Sequence, residues 1–115
     1  MQKLSEATLA AIGRMTVAAT DLEYALASLA DSPAALFAEP GAALRAARDA
    51  SPPRADDIRH WIDGSATQLV QSQAALRAIW RGGRTDPALF DEITSRLLRC
   101  REALVAAQGL RATAP

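Results

Sequence analysis

Apolar residues return at alternating steps of three and four along most of this chain. Ile12, Met15, Ala19, Leu22, Leu26 and Leu29 form the first such seam. A helix brings the same face round every 3.6 residues, so this spacing predicts a helix buried along one stripe. Ser5 is the natural cap, and Glu6 puts negative charge where the helix dipole favours it. The helix is predicted over 5–31. At "ADSP", Ser32 and Pro33 predict a new cap with proline in the first helical position. The second segment, 33–50, is broken at Pro40–Gly41, because proline removes a backbone donor and clashes with the preceding turn. A short helix near 33–39 and another near 41–50 are expected, with Leu36, Phe37 and Leu44 as the large apolar residues. "SPPR" at 51–54 ends this arm.

The third helix is predicted over 55–81. Its seam is Ile58, Ile62, Ser65, Leu69, Ser72, Leu76 and Ile79, with Trp61 and Trp80 on the flank. Two serines on the seam predict close packing against a neighbour. Gly82 and Gly83 stop the helix. Asp86 caps the last one, predicted over 87–108, with Pro87 first. Its seam is Phe90, Ile93, Leu97, Cys100, Leu104 and Ala107. Gly109 is the expected stop, and Leu110 the hydrophobic contact that often follows one.

No strand pattern occurs. The expected fold is all-α: one domain, 1–115, an antiparallel up-and-down four-helix bundle with a broken second helix. Its expected core includes Ile12, Met15, Leu22, Leu26, Ile62, Leu69, Leu76, Ile93, Leu97 and Leu104. The long helices span roughly 35–40 Å at 1.5 Å per residue. The broken arm is too short to cover them. That predicts leftover apolar surface and a homodimer through the first or third helix, with Trp61 or Trp80 as anchors.

Composition supports this picture. The 115 residues include 27 alanines and only five aromatics outside histidine, which favours close-packed helices over sheets. Net charge is zero, so no global field steers the chain to nucleic acid or membrane. Charge is unevenly spread, at −3 over residues 1–76 and +3 over 77–115. Arg77, Arg81, Arg84, Arg96, Arg99 and Arg101 are the candidate basic patch. Solvated ion pairs to Asp91, Glu92 and Glu102 are the alternative. A single cysteine forbids an intrachain disulfide. No signal-peptide pattern and no membrane-length apolar run appear, so a cytoplasmic location is expected.

Little here points to catalysis. His60 is the only histidine, and Asp56, Asp57 and Asp63 beside it do not complete a metal set. Cys100 lies on the apolar seam, as a buried inert thiol does. No metal, cofactor or catalytic residue is assigned.

The segment "SQAALRAIW", 72–80, resembles the end of the third long helix in small bacterial bundles of the HEPN class. Those helices carry an Arg, a polar residue, an apolar residue before a His, and then a Trp. Aligned on Trp80, Leu76 also matches, and Gln73 falls at the polar position. Ser72 stands where the Arg would be and Arg77 where the His would be. In active members the resemblance implies metal-independent RNA cleavage, with the His as acid or base. A guanidinium does not deprotonate at neutral pH, so Arg77 cannot take that part. The resemblance therefore implies a non-catalytic member, an interaction or regulatory bundle accessory to a bacterial defence or toxin–antitoxin system. The alternative is an RNA-binding or RNA-processing domain using the Arg-rich ends of the third and fourth helices.

Overall fold

The computed structural model describes residues 3–50 and 56–113. Its helices are α1 (Glu6–Leu29), α2 (Ala42–Ala50), α3 (Asp56–Ala78) and α4 (Pro87–Thr113). A 3₁₀ turn, Pro33–Phe37, precedes α2, and a second, Ile79–Arg81, tightens the end of α3. No strand occurs among the described residues. The expected break at 51–54, the start at Ala55 and the contact expected of the Leu110 side chain lie outside what is described.

Local chemistry explains most boundaries. The Ser5 hydroxyl accepts the Thr8 N–H at 3.1 Å and caps α1. Ser32 makes no such bond, and a 3₁₀ turn follows in place of an α-helix. The long helices α1 and α3 end alike. Gly83 N–H bonds Ala78 O at 2.8 Å and Gly82 N–H bonds Ile79 O at 3.2 Å. Ser32 N–H bonds Ala27 O at 2.9 Å and Asp31 N–H bonds Ser28 O at 3.0 Å. Each pair is a Schellman closure, which needs a left-handed residue. Gly82 has φ 76° and Asp31 has φ 52°.

Gly109 does not stop α4, which runs on to Thr113. A glycine terminates a helix by turning left-handed, and Gly41 and Gly82 are the described glycines that do so. Strong helix formers on either side (Ala106, Ala107, Arg111, Ala112) carry the helix through a residue that costs about 1 kcal/mol relative to Ala.

The bundle is all-α, with the broken second arm the periodicity predicts. The break also sets chain direction. Arg14 of α1 meets Asp91 of α4, and Gln108 reaches Ser28 O, so α1 and α4 run parallel. Gly64 lies against Cys100, while Ala78 shares a groove with Leu89, so α3 runs opposite to α4. The arm explains this. Leu36 to Gly41 descend to the level of Glu23 and Leu69, and α2 then climbs back until Arg48 pairs with Asp63. The arm goes down and up within half a bundle length, and the chain enters α3 at the end where α1 left off.

The core lies between α1, α3 and α4. Met15, Leu22, Leu26, Ile62, Phe90, Leu97 and Leu104 are almost completely enclosed. Ser65 and Ser72 are buried on the seam, their hydroxyls bonded to Trp61 O and Leu69 O at 2.7 Å. Three expected core residues, Ile12, Leu69 and Leu76, are only half-buried. Leu69 faces the arm, and the helical period puts Leu76 in line with Leu69, and Ile12 in line with Glu23, which also faces the arm. The molecule measures 54 × 24 × 20 Å with a radius of gyration of 15.3 Å, against about 13 Å for a compact 100-residue domain.

Candidate interaction site

The short arm leaves a groove between α1 and α3. At its upper end Leu36, Pro40 and Leu44 of the arm, Leu69 and Gln73 of α3 and Glu23 of α1 enclose a cleft of about 450 Å³. Phe37 stands 84% exposed on the arm and Val70 67% exposed on α3. By the helical period Ile12 stands in line with Glu23 on α1, and Leu76 with Leu69 on α3. Both are half-buried, and Trp80 at the end of α3 is 65% exposed. This is the surface a full-length second helix would cover.

The residues of "SQAALRAIW" fall on two sides of α3. Ser72 is buried and spends its hydroxyl on the Leu69 carbonyl, so it cannot steady a phosphate. Gln73, Arg77 and Trp80 are exposed. Steps of four and three put them on one face, which continues the groove downward from Val70. The motif thus reads as the lower edge of an apolar groove.

The structure divides the expected basic patch: Arg84 and Arg96 line one groove between α3 and α4, and Arg96 and Arg99 line the next. Arg84 lies bidentate on Asp86, at 2.9 and 2.7 Å, and this hydrogen bond pulls the Asp86 carboxyl below its ordinary value. Arg96 binds Glu92 at 2.7 Å. Asp91 serves Arg14 of α1 and not an arginine of α4. Arg96 and Arg99 line a cleft between α3 and α4. Arg101, two residues on, is turned about 200° from Arg99 by the helical period. Arg77 and Arg81 lie at the end of α3. Arg77, Arg81, Arg99, Arg101 and Glu102 form no ion pair among the described residues.

The α3–α4 cleft also holds His60, Trp61, Gln68 and Cys100. The rings of His60 and Trp61 meet edge-on, with centroids 5.6 Å apart. Burial pushes the Cys100 thiol up, against the opposing influence of Ser65 and Arg99. Such a thiol is a poor nucleophile. Among the described residues no group of three His, Cys, Asp or Glu side chains converges on a metal position. Asp63, one of the acids near His60, instead pairs with Arg48.

Glu23 is the residue that periodicity missed. Its carboxyl sits at the apolar cleft, and burial raises it above its ordinary value of 4.5. The folded chain therefore holds this proton to higher pH than the unfolded chain does. Stability falls as pH rises from 4.5 through the raised value. A basic group docked beside Glu23 would relieve that cost. A lone acid between Leu22 and Tyr24 carries no sequence signal for this role.

No helix among the described residues is long and apolar enough to cross a membrane. Comparison with protein-family models, with curated proteins and with solved structures returns no match.

Proposed function

We propose that this chain is a non-enzymatic interaction bundle whose α1–α3 groove receives an apolar helical segment of a protein partner. The observation that carries this reading is the half-burial of Leu69 at the arm cleft, with Ile12 and Leu76, in line with that cleft by the helical period, half-buried as well. Exposed Val70 and Trp80 extend the same strip. A helix laid in such a groove would bury apolar stripes that water now wets. Glu23 at the upper end favours a segment with a basic residue there. The resemblance of "SQAALRAIW" to HEPN bundles supports a cytoplasmic regulatory role beside a bacterial defence or toxin–antitoxin system, and the chemistry lost at Ser72 and Arg77 fits a member that binds without cutting.

A photo-crosslinking residue placed at Trp80 in the native cell tests this reading, with the same residue at exposed Glu102 as control. The expected result is one discrete protein adduct from position 80 and none from 102. An RNA adduct at 80, a self-adduct there, or equal labelling at both positions would overturn it.

A further inference from the structure

α1 carries a second, separate surface. Leu9, Gly13, Thr16, Val17, Thr20 and Tyr24 fall within an arc of about 100° on its outer side. None of these six is charged and all are exposed; the one charge in the same arc is exposed Glu6, at the first turn of α1. Val17, midway along the strip and at the edge of the arc nearest Arg14 and Asp21, is 65% exposed. The threonine hydroxyls are turned inward, Thr16 donating to Ile12 O at 2.9 Å and Thr20 to Thr16 O at 3.0 Å. Their hydrogen-bonding capacity is thus partly met within the helix. Leu98 of α4 borders the same shallow groove as Gly13 and Val17.

Two charges flank this strip. Arg14 and Asp21 line the groove seven residues apart, on either side of Val17. Arg14 commits Nε and Nη2 to Asp91, at 3.0 and 3.2 Å. Its Nη1 donors appear in no hydrogen bond among the described residues. Asp21 forms no ion pair there either.

We propose that a second copy of this chain docks on this face, α1 against α1 and antiparallel, with the twofold axis beside Val17. An axis midway between positions 14 and 21 sets Arg14 level with the partner's Asp21, and does so twice. The same symmetry brings Tyr24 level with the turn around Ala10, where small side chains leave room. A parallel pair would oppose Arg14 to Arg14, so the charge pattern selects the antiparallel arrangement. This surface is distinct from the α1–α3 groove, and the inference does not rest on that reading.

Sedimentation equilibrium at about 100 µM is expected to show twice the 12.2 kDa chain mass. Val17→Glu is expected to return it to 12.2 kDa with an unchanged helical circular dichroism spectrum, since Val17 is outside the core. A short bis-maleimide should join Val17→Cys to itself, and Ala10→Cys to Tyr24→Cys in a mixture. Ala10→Cys or Tyr24→Cys alone should join at least tenfold more slowly, and the parent chain, with only buried Cys100, not at all. A single species at the chain mass, a dimer unmoved by Val17→Glu, or faster joining of Tyr24→Cys to itself than to Ala10→Cys would overturn the proposal. None of these outcomes bears on the Trp80 crosslink, which reads the other surface.

Discussion

Single residues divide by what covers them, and periodicity sees only half of that. Leu97 and Leu69 occupy equivalent seam positions in α4 and α3. Leu97 is completely enclosed, whereas Leu69 is half-buried at the arm cleft. The repeat of three and four tells which way a side chain points, not whether another element lies there. The same limit hid Glu23, whose position is set by the arm folding back. The two serines were legible, because a small polar residue on a seam fits only where neighbours crowd and its hydroxyl can return to its own helix. Leu97→Ala should cost roughly 2–5 kcal/mol through lost burial and a cavity. Leu69→Ala should cost less than about 2 kcal/mol, since much of its surface is already wet. Urea denaturation of both variants checks the difference. Equal losses would mean the groove is closed in the isolated protein.

Helices and turns were the most legible scale. Ser5, Pro33, Asp86 and the Gly82–Gly83 pair mark boundaries because each meets a specific backbone need. The break in the arm is legible from Pro40 and Gly41, and its return path is not, because such a pair shows where a helix fails and not where the chain goes next. Gly109 misled for a related reason: a glycine permits a left-handed stop but does not compel one. The two Schellman closures allow a paired test. Gly82 takes its left-handed turn without steric cost, whereas Asp31 bears a Cβ in the same conformation. Gly82→Ala should destabilise by about 1–2 kcal/mol. Asp31→Gly should stabilise by up to about 1 kcal/mol, its backbone gain set against the entropy glycine adds to the unfolded chain. Thermal unfolding of the two variants should therefore move in opposite directions. A fall in both would show that the Asp31 side chain holds the end of α1 in some other way.

At the scale of the whole molecule, charge placement weighs against nucleic acid. Sequence shows six arginines in the expected patch but not how helices distribute them. In the folded chain Arg84 and Arg96 are already paired with acids. Arg99 borders the α3–α4 cleft, and the helical period turns Arg101 to another side of α4. Like those two, Arg77 and Arg81 form no ion pair among the described residues. Unlike Arg99 and Arg101, they share one face near the end of α3, at a spacing of four. On single-stranded nucleic acid each neutralised phosphate contributes a slope of about −0.7 to log K against log salt. Two contacts therefore allow a slope of only about −1.4, too weak to hold at physiological ionic strength. The expected outcome with a 20-nucleotide single-stranded RNA is no saturable binding in about 150 mM salt, where exposed charges are well screened. A slope steeper than about −3, abolished by Arg77→Glu with Arg81→Glu, would require a continuous basic face. It would restore the RNA-binding reading over the protein-docking one.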